Sequence, residues 1–209
     1  MYIPGRFAEN DLATLHDVIR AHAFAALVTV QDGLPVASHI PFVLDGDRGP
    51  HGSLLGHLAR ANPQWRSFAD PSAPQALVIF EGPHAYVSPS WYAGAPNVPT
   101  WNYVIVHAYG TPRIIIEPGQ VRSAIDRLVA VYESGRAQPW STTGVPPDFI
   151  DRMLSAIVAF EIPIERLEGK FKLSQNKTAD DRAGVITALS EEPDNLARAV
   201  AELMRCREA

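Results

Sequence analysis

VPTWNYVIVHAYGTPRIII, residues 98–116, decides the fold. It is rich in β-branched and aromatic residues and carries no helical period, so it reads as one long strand. If Thr100 to Tyr109 is extended, Trp101, Tyr103, Ile105, His107 and Tyr109 share one face, while Asn102 points the other way with Val104 and Val106. The preceding stretch QALVIFEGPHAYVSP, residues 75–89, has the same character. A short connector, SWYAGAPN, separates the two, which fits neighbouring strands of one sheet. Working back, AALVTV (25–30) is a buried strand, and Asp32-Gly33 is a hairpin turn signal that leads into LPVASHIPFVL (34–44). Pro41 removes a ladder donor, so that strand should bulge or lie at an edge. GSLLGHLAR (52–60) is a further strand, and Asn62-Pro63 starts a short helix.

Working forward, Val121, Ala124, Ile125, Leu128, Val129 and Tyr132 form one helical stripe. A second helix is expected over 149–157 and a strand over 158–164. Thr178 and Asp181 make a capping pattern before a helix containing Val185, Ile186 and Leu189, and a last helix carries Leu196, Ala199, Val200, Leu203 and Met204. About six strands with hairpin connections and peripheral helices predict a small antiparallel barrel, mainly β, rather than a βαβ sheet. The expected organisation is a barrel domain with inserted helices over 1–176 and a helical extension packed on it over 177–209.

The chain has 209 residues, is 46% hydrophobic and carries a formal charge of −5. That charge argues against gripping nucleic acid with the whole surface. The acidic first helix and linker of the C-terminal pair do not suit a helix-turn-helix, so direct DNA binding is not expected. No apolar run approaches the roughly 20 residues needed to span a bilayer. The opening MYIPGRFAEND lacks a secretion pattern, and the single cysteine, Cys206, fits a reducing compartment; the reading is a soluble cytoplasmic protein. G-x-S-x-G, P-loop and G-x-G-x-x-G patterns are absent. His51 and His57 fall on one strand face but too far apart for one metal, and no metal site is expected.

Chemistry gathers elsewhere. Lys170, Lys172 and Lys177 are the only lysines, against fifteen arginines, and all lie in GKFKLSQNK, residues 169–177. Two strand-to-helix junctions, HLARANP and KFKLSQNKT, combine free helix N–H groups with cations and so offer an anion a seat. The competing reading makes Asn62 and Thr178 ordinary caps beside solvated cations. The aromatic face of the 98–116 strand is either packed core or a wall for a planar ring. Asn102, polar among valines, must find partners.

ASHIPFVLD, GHLARANPQW, VPTWNYVIVHAYG and GKFKLSQNK, in that order, resemble the PaiB family of FMN-binding negative transcriptional regulators. The resemblance implies a six-stranded antiparallel split barrel that dimerises, with FMN at or near the dimer interface. It implies Ser38, His39 and Ile40 beside the isoalloxazine and His57, Arg60 and Asn62 facing the phosphate. Trp101, Asn102, Tyr103, Lys170, Lys172, Gln175, Asn176 and Lys177 would close the site, from the same or the other subunit. Related split barrels include flavin oxidoreductases and haem-degrading proteins, so a flavin-dependent oxidoreductase and a haem-handling protein, with His39, His84 or His107 as ligand, are the alternatives.

Overall fold

The computed structural model describes residues 1–69, 74–94 and 96–207. In chain order the elements are β1 (Ala8–Glu9), α1 (Leu12–Ala21), β2 (Phe24–Gln31), β3 (Leu34–Pro41), β4 (Val43–Asp45) and β5 (Ser53–Ala59). They continue with β6 (Ala76–Val87), β7 (Thr100–Gly110), β8 (Arg113–Ile114), α2 (Pro118–Glu133), α3 (Pro147–Ser155) and β9 (Ile157–Pro163). β10 (Arg166–Lys172), α4 (Ala179–Glu191) and α5 (Asn195–Cys206) complete the chain. One sheet has six strands in the order β1-β10-β7-β6-β2-β3, and a second has four in the order β4-β5-β9-β8. These two sheets with flanking helices are the split-barrel class that the sequence implied.

The local reasons are those of the sequence. Asp32 and Gly33 both take positive φ, 50° and 77°, as a tight two-residue hairpin requires, and β2 pairs β3 through that turn from Gln31↔Leu34 to Phe24↔Pro41. β3 is an edge strand and Pro41 is its last residue, which resolves how the proline is tolerated. In β7 the buried face is Asn102, Val104, Val106 and Ala108; the aromatic face is not core, and Trp101 is 53% exposed. The strand count is corrected upward: β1, β4 and β8 are two or three residues long, too short to leave a period in the sequence. His51 lies outside β5, and its carbonyl bonds His16 Nε2 at 2.9 Å.

The chain divides into two compact units. Unit 1 comprises Met1–Leu15, Glu81–Val106 and Glu168–Ala209, and unit 2 comprises His16–Phe80 and His107–Leu167. The C-terminal helices α4 and α5 belong to unit 1, where Val185, Leu189, Val200, Ala201 and Met204 are buried. Gly184 lets α4 lie against the Trp91 backbone, since a Cβ there would come within 2.2 Å of its carbonyl oxygen. Unit 2 is centred on Phe42, Phe80 and Phe160, with ring centroids 6.0–6.3 Å apart in edge-to-face pairs. Among the described residues no helix is long and apolar enough to cross a membrane.

Candidate functional site

The predicted residues fall into two groups, one in each unit. In unit 2, β3 carries Ser38, His39 and Ile40 on the exposed edge strand. His39 stacks its ring on Phe24 at 6.3 Å. Ser38 is tied to the end of the β5 segment, because Asn62 Nδ2 donates to its hydroxyl at 2.9 Å. Asn62 Oδ1 accepts the Gln64 N–H at 3.0 Å and so caps the 3-10 segment Pro63–Ala69, as its position before Pro63 foretold. His57, on β5 opposite Ala159, has a buried Nδ1 with no hydrogen-bond partner. Arg60 has another employment: its Nε and Nη2 donate to the carbonyls of Ser155 and Ile157 at 2.7 and 2.8 Å, tying down the C-terminal end of α3.

Gln64 was not anticipated. It is fully buried, and its Nε2 lies 3.1 Å from Leu27 O, Thr29 Oγ1 and Val36 O. A glutamine is ordinarily exposed, so nothing in GHLARANPQW marked it as an anchor between the 3-10 segment and the β2–β3 hairpin.

In unit 1, Asn102 found its partners: Nδ2 donates to Ser174 Oγ at 2.9 Å and meets Met204 Sδ at 3.4 Å. Ser174 holds φ at 62°, an uncommon conformation for a residue with a side chain, and it aims that hydroxyl at Asn102. Lys170 donates to Tyr2 O at 3.1 Å and lies 5.2 Å from the Tyr103 ring centroid. Gln175 is folded back on its own strand, bonding Phe171 O and the Leu173 N–H. Lys172 donates to Thr100 Oγ1 and Trp101 O, and Lys177 donates to Asn97 Oδ1 while lying over the Tyr92 ring. Trp101 packs edge-on against Tyr86 with its centroid 6.0 Å away. Lys172, Asn176, Lys177 and Asn102 line a cavity of about 220 Å³ together with Tyr92 and Ser174. Tyr92 and Ser174 were missed, the first because SWYAGAPN reads only as a connector.

Electrostatics differ between the groups. Burial holds the Lys172 ammonium below its ordinary value, and the charges of Lys170 and Lys177 push the same way. Burial alone lowers the imidazoles of His57 and His22 from 6.5. These histidines bind protons more readily in the unfolded chain, so their contribution is whole above 6.5 and falls as pH drops from there towards their folded values. Urea unfolding should therefore show stability falling as the pH is taken below 6.5. His57→Gln should flatten part of that slope; an unchanged slope would remove His57 from this account.

A separate groove of about 760 Å³ in unit 2 is lined by Arg48, Arg113, Arg127, Glu117 and Glu161 and contains none of the predicted residues. Arg48 is paired with Glu161 and Arg127 with Asp45.

The family described as "Putative FMN-binding domain" matches residues 1–166. Across 204 residues the chain is 36% identical to the Bacillus subtilis "Protease synthase and sporulation protein PAI 2", covering 98% of this chain and 96% of that protein. Among solved structures, the FAD and heme binding protein from Mycobacterium smegmatis superposes with a TM-score of 0.62 at 23% identity, over 84% of this chain and 78% of that one. The flavocytochrome Anf3 from Azotobacter vinelandii gives 0.61 at 15%, over 85% and 75%. At those identities the two structures speak for the fold alone. The full-length likeness to the Bacillus protein, the domain match and the split barrel together show that this chain belongs to the PaiB family, within the FMN-binding split-barrel superfamily.

Proposed function

We propose that the chain is a homodimeric, FMN-binding negative transcriptional regulator of the PaiB type, acting in the cytoplasm. The observation that carries this reading is the FMN-binding domain match over residues 1–166, which spans the whole Ser38–Asn62 group. The residues of that group suit a flavin. The phosphate of FMN offers acceptors, and the N–H of a neutral imidazole can donate to one of them. His57 is held neutral at pH 7 by burial, and its Nδ1 lacks a partner. Ser38 and Asn62 add a hydroxyl and an amide already fixed to one another. Arg60 spends two of its five N–H groups on backbone carbonyls, leaving others for the phosphate. When bound, FMN would supply one- or two-electron redox chemistry; the chain's part is to hold and orient it. With a net charge of −5, regulation through a protein partner or the flavin's state is favoured over a broad DNA-binding face.

FMN added to the purified protein should be retained through gel filtration with its fluorescence quenched, and riboflavin, lacking the phosphate, should bind more weakly. Absence of retention and quenching at micromolar flavin would refute the FMN reading. Equal affinity for the two flavins would remove the phosphate contact. Sedimentation should give a dimer at micromolar concentration, and a monomer there would overturn the homodimer.

A further inference from the structure

We propose that the cavity among Tyr92, Asn102, Lys172, Ser174 and Lys177 in unit 1 is a seat for a compact oxyanion, a phosphate or carboxylate group.

The first ground is charge. Two of the chain's three lysines, Lys172 and Lys177, line this cavity, and the charge of the third, Lys170, acts on Lys172. The carboxylate that bears on Lys177 is Asp181, which accepts the Gly94 N–H at 3.1 Å and is not part of the cavity wall. Like charges gathered in a partly desolvated place repel one another, and the ordinary remedy is a bound counter-charge. Each ammonium has three N–H bonds. Lys172 uses two on Thr100 and Trp101 and Lys177 one on Asn97, so donors remain for a ligand.

The second ground is independent. Tyr92 is 8% exposed and lines the same cavity, yet its hydroxyl, with Ser174 near it, makes no hydrogen bond of ordinary geometry, while burial and the charge of Asp181 raise its pKa and favour its protonated, donor form. A buried hydroxyl without a well-formed hydrogen bond is costly and uncommon, so the site is built for an acceptor that binds there. The cavity's 220 Å³ is room for about seven waters at roughly 30 Å³ each, more than a single bridging water fills. Cationic ligands are repelled by the ammonium groups, and an oxyanion gains charge attraction that a neutral acceptor lacks, in addition to hydrogen bonds it can accept from the lysines and the phenol.

The occupant has two candidate sources, the phosphate end of FMN or a free small oxyanion, and the experiment separates them. Because the chain has only three lysines, selective labelling at lysine Cε gives three NMR signals in the full-length protein. Titration with inorganic phosphate, and separately with succinate, at constant ionic strength should move the Lys172 and Lys177 signals saturably and Lys170 least. Tyr92→Phe removes a hydroxyl whose interaction with Ser174 falls short of a well-formed hydrogen bond, so it should fold normally and bind the oxyanion about five to ten times more weakly. Lys172→Met should do the same or worse. If FMN displaces phosphate and riboflavin does not, the flavin's phosphate is the occupant. If phosphate and FMN bind together, the seat takes a free oxyanion and the flavin reading is untouched. Linear, non-saturating shifts with phosphate, succinate and FMN into the millimolar range, or a Tyr92→Phe affinity equal to wild type, would overturn the proposal even if FMN is retained elsewhere.

Discussion

Phe160→Ala should lower the unfolding free energy by about 3–5 kcal/mol, the usual cost of emptying an aromatic site in a core. Phe160 is fully buried on β9. Its ring lies 4.8 Å from Phe68 and 6.3 Å from Phe42 between centroids. Gly56 on β5 is its direct partner in register, and a Cβ there would lie 3.2 Å from Phe160 Cζ and 3.1 Å from Phe42 Cε1. The glycine's missing side chain is what gives both rings room, so no neighbour stands ready to fill the hole that alanine leaves. The loss should appear as a lower denaturant midpoint with little change in slope. Ile116→Ala is the control: at 84% exposed it should change stability by no more than about 0.5 kcal/mol. A Phe160→Ala cost below about 1.5 kcal/mol would mean that β5 and β9 collapse around the cavity more freely than their pairing implies.

Legibility in the sequence followed the range of the interaction. Asp32-Gly33 announced its hairpin because a tight turn needs positive φ at successive residues, a demand met within two positions. The faces of β7 were legible because alternation is local, although which face is core was not: the buried side proved to be Asn102 with the valines and Ala108. The three lysines were visible as a cluster in one segment. What they line was invisible, because Tyr92 is eighty residues upstream of Lys172 and no spacing rule links them. Arg60 was legible as a cation but not as a clamp on Ser155 and Ile157, ninety-five and ninety-seven residues away. Gln64 was silent for a different reason: its type predicts exposure, and only the three acceptors assembled by the β2–β3 hairpin make burial tolerable.

That silence makes Gln64 the most informative position to change. Gln64→Leu keeps a similar volume but removes the buried donor from Leu27 O, Thr29 Oγ1 and Val36 O, and should cost about 2–4 kcal/mol. Gln64→Glu should be worse at neutral pH, since an ionised carboxylate would face two carbonyl oxygens, with only the Thr29 hydroxyl of the three able to donate to it, in a fully buried place. Burial raises a carboxyl's folded pKa above its unfolded value, so the Glu variant should be least impaired at low pH and lose stability as pH rises through that raised value. The wild-type trend from His57 and His22 runs the other way, with stability falling on acidification below 6.5. Opposite pH slopes for wild type and Gln64→Glu in urea unfolding are therefore the expected signature. Parallel slopes, or a Gln64→Leu protein as stable as wild type, would show that the amide does not hold the 3-10 segment to the hairpin. Because Asn62, whose amide fixes Ser38, caps the same segment, a loosened Gln64 should also weaken flavin retention, whereas Ile116→Ala should leave it unchanged.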